Sequence, residues 1–390
     1  MNITILVVAA AVVAGLPGLI GACHLGLLAL ASWFYREPGP TGGEGIRFVV
    51  LVPAHNEEQV IHRGLASIMS DRRAQDQVLV VADRCSDRTA DIARSFGALV
   101  LERGPDDVPG RAAARQAGLE YARALDWDVV LMLDADSVIE PGFFAACENA
   151  LGTGVSAVQA RSESSRGRTL ATEASLAAFT LQGITIPRGR DRLGLSVRLR
   201  GTGMAIRREV VYSHQFRAPA SEDLFFTLDL LLDGARCRHV DSARLRSLGA
   251  STWGTFGGQK VRYEAGRMAA AREFVPRLIR RATAQRDGAC LEAAWFLVSP
   301  PFAVGALSLL VAVGLAALAG AWPVAAVFAA AFGLLVLALL TGLIQARATA
   351  RTWLALCVAP WYLVWKAVVQ LRALASVVRR NDYYGPTARV

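Results

Sequence analysis

From Ala293 to Ala346 the chain runs 54 residues without one Asp, Glu, Lys or Arg. As a single helix rising ~1.5 Å per residue, this stretch would far exceed the roughly 30 Å hydrocarbon core of a bilayer. It is therefore expected to cross a membrane twice, with a hairpin near Gly320-Ala321-Trp322-Pro323. Residues 1–35 also lack these four residue types, and Ile3 to Trp33 is long enough for another crossing. A cleaved signal peptide is the competing reading, but no basic n-region precedes the apolar stretch, which is longer than an h-region of about 7–15 residues. With 53% hydrophobic and 19% charged residues, the chain is more apolar than a wholly soluble protein.

Charge sets the orientation. An even number of crossings between 293 and 346 returns the chain to its starting side, so Arg347 and Arg351 share a side with Arg280, Arg281 and Arg286. The positive-inside rule puts that side in the cytoplasm, which predicts a multi-pass protein of the inner (plasma) membrane. The net charge of +9 fits nucleic acid or an anionic membrane surface. With basic clusters bordering the apolar stretches, membrane lipids are the expected partner, and nucleic acid is not. Six cysteines at 23, 85, 147, 237, 290 and 357 show no ligand spacing, which suits a reducing compartment.

Between the apolar ends lies a soluble region of different grammar. Short apolar runs at Ile46–Val52, Gln77–Val81, Ala98–Leu101, Val129–Leu133 and Val155–Ala160 alternate with helical segments at Glu57–Ser70, Asp87–Phe96 and Ala112–Leu125. This alternation predicts βαβ units and an α/β fold with a mostly parallel sheet. No Gly-x-Gly-x-x-Gly follows the first strand, so a dinucleotide fingerprint is absent.

Val129 to Leu133 is apolar without alternation, as expected of a strand buried on both faces, and it runs into Asp134-Ala135-Asp136. Two carboxylates at the carboxyl end of such a strand stand where open α/β sheets bind ligands. Hard oxygen ligands suit Mg2+ or Mn2+ bridged to phosphate, so a phosphate-bearing substrate is the first inference. A capped or solvated turn is the alternative.

Two more polar loops belong on that edge: Pro53-Ala54-His55-Asn56-Glu57-Glu58 and Ala82-Asp83-Arg84-Cys85-Ser86-Asp87-Arg88-Thr89. Taken with Asp134-x-Asp136, they resemble family 2 glycosyltransferases, the inverting GT-A enzymes that include cellulose, chitin and hyaluronan synthases. The resemblance implies that Pro53, His55, Asn56, Glu57 and Asp83 hold the nucleotide, and that Asp134 and Asp136 carry the metal and diphosphate. Local chemistry offers a plainer reading of the same residues, with Asn56 capping a helix and Asp87 closing an Asx turn.

Gly110-Arg111 opens a helix where the family commonly has Gly-Lys, implying an Arg111 contact to diphosphate. Gly201-Thr202-Gly203 resembles the family's acceptor loop, and Ser221-Glu222-Asp223 its Glu-Asp pair. Asp223, with Glu222 beside it, is the expected catalytic base, taking the acceptor's proton. The alternative makes Ser221 a helix cap. Gln259-Lys260-Val261-Arg262-Tyr263 is similar to the Gln-x-x-Arg-Trp of processive members, so Gln259, Arg262 and Tyr263 are carried over to the acceptor and diphosphate. Tyrosine in place of tryptophan weakens the expectation of processive synthesis.

The expected organisation is a transmembrane helix over 1–35, a cytoplasmic GT-A catalytic domain over 46–255, and an amphipathic interfacial segment over 256–290. Two transmembrane helices over 291–346 follow, then a re-entrant or fourth transmembrane helix with a basic tail over 352–390. The partners implied are a nucleotide-sugar donor, with UDP-sugar favoured, and a glycan or lipid-linked acceptor, with a homo-oligomer or export partner completing any channel. Single-sugar transfer to a polyprenyl phosphate carrier, or a regulator that binds sugar nucleotide without catalysis, are the alternatives.

Overall fold

A computed structural model describes residues 3–37, 39, 45–164, 170–216, 221–247, 253–358 and 360–368. The amino-terminal apolar stretch is one helix, α1 (Ile3–Ser32). The region after it alternates as expected: β1 (Phe48–Ala54), α2 (Ile61–Asp71), β2 (Gln77–Asp83), α3 (Thr89–Ser95), β3 (Leu99–Arg103), α4 (Arg111–Ala122) and β4 (Val129–Met132). Then come β5 (Ser137–Ile139), α5 (Phe143–Leu151), β6 (Ala157–Ser164), α6 (Leu170–Thr180), a π-helical turn (Leu181–Thr185) and α7 (Ile186–Arg192). The domain closes with β7 (Met204–Arg207), α8 (Arg208–Ser213), α9 (Glu222–Leu232) and β8 (Cys237–Ser247).

The eight strands form one sheet in the order β3-β2-β1-β4-β7-β6-β8-β5. β1 to β4 are parallel, and β1, β2 and β4 are buried on both faces, as their unbroken apolar runs require, while β3 is a partly exposed edge strand. Val50, Val80 and Leu131 pack on one side with Ile61, Leu65 and Phe144, while Leu51, Val81 and Met132 pack on the other with Leu119, Trp127 and Phe226. The rest of the sheet departs from the mostly parallel expectation. β7 runs antiparallel between β4 and β6, and β5 runs antiparallel to β8, so the sheet is mixed. This reversal matters for function, because it brings the beginning of β7 to the carboxyl end of β4.

The remaining helices are α10 (Trp253–Gln285), α11 (Gly288–Val298), α12 (Phe302–Leu318), α13 (Trp322–Gln345) and α14 (Ala350–Leu354). The hairpin falls where expected, at Gly320 with φ of 71°. Among the described helices, α1 and α13 are each long and apolar enough to cross a membrane. The other expected crossing is broken. α11 and α12 pass the same test only together and meet at 73°. Pro300 and Pro301 stand at the break, where neither can continue a helix. Arg267 donates to the carbonyls of Phe296, Leu297 and Ser299 at 3.3, 3.0 and 2.9 Å, occupying the acceptors that the break leaves open.

α1 packs against α12 and α13 through small residues. A Cβ on Gly15 would lie 2.5 Å from the Phe328 ring, and one on Gly18 would lie 2.7 Å from the Gly305 carbonyl oxygen. The amphipathic segment is helical. Ala270, Phe274, Leu278 and Ala282 of α10 are buried against Leu228 and Leu231 of α9 and Ala293 and Leu297 of α11, while Ile279 stays exposed. After α14 come a 3-10 turn (Ala355–Val358) and a helical stretch over 360–368. The basic tail with Arg379 and Arg380 lies outside the described residues.

Candidate active site

The parallel strands β1, β2 and β4 end at one edge, and their loops are tied to each other before any ligand is considered. Asn56 takes a left-handed backbone (φ 52°), and its side-chain oxygen accepts the Ser86 N–H at 2.8 Å. The Glu57 N–H donates to Thr89 Oγ1 at 2.9 Å, and the Glu58 N–H donates to Asp87 Oδ2 at 3.1 Å. His55 Nδ1 donates to the Asp83 carbonyl at 2.6 Å. Asn56 therefore does not cap α2, which starts at Ile61 without a side-chain cap, and instead joins the first loop to the second. Asp87 does close the expected turn, accepting the Thr89 N–H at 3.0 Å. Pro53 stays within β1. Asp83 is buried and engaged by Arg103, whose Nη1 lies 2.6 Å from Oδ1.

The centre of the edge is a charge cluster. Gly110, at φ of 114°, turns the chain into α4, and Arg111 then lies 3.3 Å from Asp134 Oδ2. Asp134 foremost, with Glu222, Asp136 and Asp223 adding to it against the opposing cost of burial, holds the Arg111 guanidinium above its ordinary value. One turn on, Arg115 is fully buried. It donates to Glu222 Oε1 at 2.8 Å and to the Gly201 carbonyl, and its Nη2 lies 3.8 Å from Asp134 Oδ1. Asp134 Oδ1 itself is buried and makes no hydrogen bond.

The antiparallel β7 supplies the opposing wall. Its leading loop begins where the Gly203 N–H donates to the Met132 carbonyl at 2.8 Å. Thr202 Oγ1 accepts the Asp134 N–H at 3.1 Å, and Gln159, buried in β6, holds the loop by donating to the Thr202 carbonyl at 2.8 Å. Gly201 and Gly203 have φ of 78° and 70°, a region that suits glycine. A Cβ on Gly201 would lie 3.6 Å from both Arg111 Nη1 and Asp223 Oδ2, so this glycine faces the gap between them.

Asp223 stands in the first turn of α9, after Ser221 in a left-handed conformation (φ 63°) that makes no side-chain cap. Burial first, and then Glu222, push the Asp223 carboxyl up, against the pull of Arg198 and Arg115. Arg198 also donates to the Tyr263 hydroxyl and lies over the Phe296 ring at 5.0 Å, which joins the aromatic of the last motif to this wall. Arg200 donates to the Gln182 carbonyl at 2.9 Å, inside the π-helical turn; burial and neighbouring Arg198 bring its guanidinium down to about 10. Gln259 and Arg262 belong to α10, and their side chains lie outside the described residues.

Of the residues expected from sequence, Arg111, Asp134, Asp136, Gly201, Thr202, Gly203, Glu222 and Asp223 converge here. His55, Asn56, Glu57 and Asp83 form the adjoining loop pair. Arg115, Gln159, Arg198 and Arg200 were not singled out. Two of them left a trace: Arg111-Ala-Ala-Ala-Arg115 puts both cations on one helix face, and Gln159 interrupts an apolar strand.

Residues 46–265 match the family model described as glycosyltransferase-like family 2. The chain belongs to that family. A curated relative, the probable glycosyltransferase YdaM of Bacillus subtilis (strain 168), is 33% identical over 99 residues, which is 23% of this chain and 23% of that protein. Among solved structures, the mannosyltransferase PcManGT from Pyrobaculum calidifontis, in complex with GDP-Man and Mn2+, covers 94% of this chain and 99% of its own at 20% identity and a TM-score of 0.54. Glucosyl-3-phosphoglycerate synthase from Mycobacterium tuberculosis, in complex with Mn2+, UDP and phosphoglyceric acid, covers 57% of this chain and 80% of its own at 22% identity and a TM-score of 0.42. The family 2 domain here has the GT-A fold, with its mixed sheet set between apolar helices.

Proposed function

We propose that this protein is a membrane-bound, metal-dependent, inverting glycosyltransferase that moves a sugar from a nucleotide-diphosphate donor to a glycan or lipid-linked acceptor. One observation carries the reading: Asp134 Oδ1 is buried without a hydrogen bond, with Arg111 and Arg115 beside its carboxylate. An orphaned carboxylate oxygen in a buried site is costly unless a ligand completes it. Asp134 and Asp136 fit Mg2+ or Mn2+. With two carboxylates, such an ion would take its other ligands from phosphate and water. When bound, the ion would stabilise the charge of the departing diphosphate.

The chain's own residues do the rest. The tied loops around Asn56 and Asp83 form a bed for the nucleoside. Arg111 pairs with the diphosphate once it displaces the Asp134 contact. Asp223 takes the proton of the acceptor hydroxyl as that oxygen bonds to the anomeric carbon and the bond to diphosphate breaks. Tyr263, braced by Arg198, offers the acceptor an aromatic face. Gln259 and Arg262 are assigned to the same channel by motif alone.

Transfer of a single sugar to a hydroxyl of a lipid-linked acceptor is the reading favoured over polymerisation. Tyrosine replaces the tryptophan of processive members, and a small set of apolar helices offers little wall for a polymer channel unless an oligomer or partner completes it. Crossing by α1, by the bent pair α11–α12 and by α13 would return Arg347 to the side of the catalytic domain, which supports a multi-pass protein of the plasma membrane with its donor site in the cytoplasm.

The decisive experiment is a donor screen on the detergent-solubilised protein, with UDP- and GDP-sugars offered and released nucleoside diphosphate measured. Turnover that disappears in excess chelator and in Asp136→Ala is expected. Full turnover under either condition would overturn the metal assignment, and nucleotide binding without turnover for any donor or acceptor would favour the regulator. In a cysteine-free background, a cysteine beside Arg347 should resist an impermeant reagent in intact cells and one beside Gly320 should react; the opposite pattern would reverse the topology.

A further inference from the structure

Away from the charge cluster of the active site, a cavity of about 680 Å³ opens between the end of α1, residues 344–347 at the end of α13, and the β6–β8 part of the sheet. Arg161, Arg188, Arg244, Arg246 and Arg347 line it, against three carboxylates, Glu37, Glu163 and Asp241. Those carboxylates are already engaged. Asp241 accepts two bonds from Arg188 at 2.8 and 2.6 Å, and Glu163 accepts from Arg161 at 2.8 Å. Glu37 accepts the Ser242 N–H and hydroxyl at 2.9 and 2.6 Å.

Arg246 pairs with Glu140 at 2.8 Å, so two cations are left over. The Arg244 guanidinium has one long contact, 3.5 Å to the Asp241 carbonyl, and the Arg347 guanidinium has no partner among the described residues. A cation just past the end of α13 suits the helix dipole, which accounts for Arg347 but not for Arg244 in β8. Trp33 and Ile344 are each about half exposed at the rim, at the level where both candidate membrane helices end. A basic cavity with an aromatic and an aliphatic lip at that level faces the headgroup layer.

We propose that this cavity binds the phosphate of an anionic phospholipid headgroup, with Arg244 and Arg347 as its donors and Trp33 and Ile344 against the start of the acyl chains. Guanidinium forks match phosphate oxygens, and the apolar lip selects a lipid over a free anion. The proposal rests on α1 and α13 crossing a membrane and does not depend on sugar transfer.

The test uses the full chain in a non-ionic detergent, with native mass spectrometry counting bound short-chain phosphatidylglycerol, and phosphatidylcholine and inorganic phosphate as competitors. One phosphatidylglycerol is expected to bind, to resist both competitors, and to bind about tenfold or more weakly when Arg244→Gln and Arg347→Gln are combined. Unchanged binding in the double variant, equal binding of phosphatidylcholine, or displacement by phosphate would each overturn the proposal. Should the double variant aggregate, Arg347→Gln alone, on an exposed turn, carries the test through a several-fold loss. Donor nucleotide binding is measured on the same samples, so a lost lipid site and a failed transferase reading are told apart.

Discussion

The two walls of the active site are built by different means. The wall proposed to hold the donor sits on the ends of parallel strands, whose order and register fix where Asp83 and Asp134 emerge, and its loops are cross-tied by bonds through Asn56, Thr89 and Asp87. The wall proposed to face the acceptor has no such frame. It collects an antiparallel strand, the first turn of α9, a π-helical turn and one residue of α10, and it depends on buried arginines to hold them together. A site built on strand ends survives the loss of one contact. A wall joined by buried charges should fail when one charge is removed.

The largest effect expected on this contrast comes from Asp223→Asn, which should lower kcat by about 10²–10⁴-fold while donor nucleotide binds as before. Loss of nucleotide binding in that variant would mean the walls are not separable. As the proposed base, the same residue should set the acid side of the rate profile. Its carboxyl is raised in the folded protein, and a base must be ionised, so kcat/KM should fall at a pH above the ordinary aspartate range. The linkage runs in the same direction. A raised folded value favours folding below the unfolded pKa of about 3.9, and that contribution is lost as pH rises through the folded value. At neutral pH Asp223→Asn should therefore melt higher than the parent, with the gap closing in acid.

Next in size is Arg115→Met. It leaves Glu222 buried without its cation, so about 3–5 kcal/mol of stability should go, read from thermal melts in detergent. If the Arg115→Met, Glu222→Gln double variant recovers most of the loss, the arginine acts through the pair. If it recovers none, the bond to Gly201 is the more important.

The smallest effects separate the two glycines of the acceptor loop. Gly203→Ala combines a φ of 70° with a Cβ 2.4 Å from Leu245 Cδ2 and should cost about 1–3 kcal/mol. Gly201→Ala meets nothing closer than 3.6 Å, so backbone strain of roughly 1–2 kcal/mol is its whole stability cost. Its methyl group would enter the gap between Arg111 and Asp223, so turnover should fall more than stability does. Equal loss of both in the two variants would place the reacting groups elsewhere.

The sequence by itself determined the parts whose cause is local. A strand buried on both faces writes itself as Val129 to Leu133, long apolar helices as stretches without charge, and loops as polar breaks between them, so the GT-A sheet edge and the apolar helices α1 and α13 were legible. Only the tertiary structure decided what depends on distant partners. The reversal that brings Gly201-Thr202-Gly203 beside Asp134 is a pairing of β4 with a strand some seventy residues later, and no local period encodes it. The stripe of Phe274 and Leu278 looks the same in sequence whether lipid or α9 and α11 cover it. Arg115 reads as one more charge on a helix until Glu222 and Gly201 arrive from elsewhere to bury it. Hydrophobic periodicity reports that a face is covered; which residues cover it depends on the packing of segments far apart in the chain.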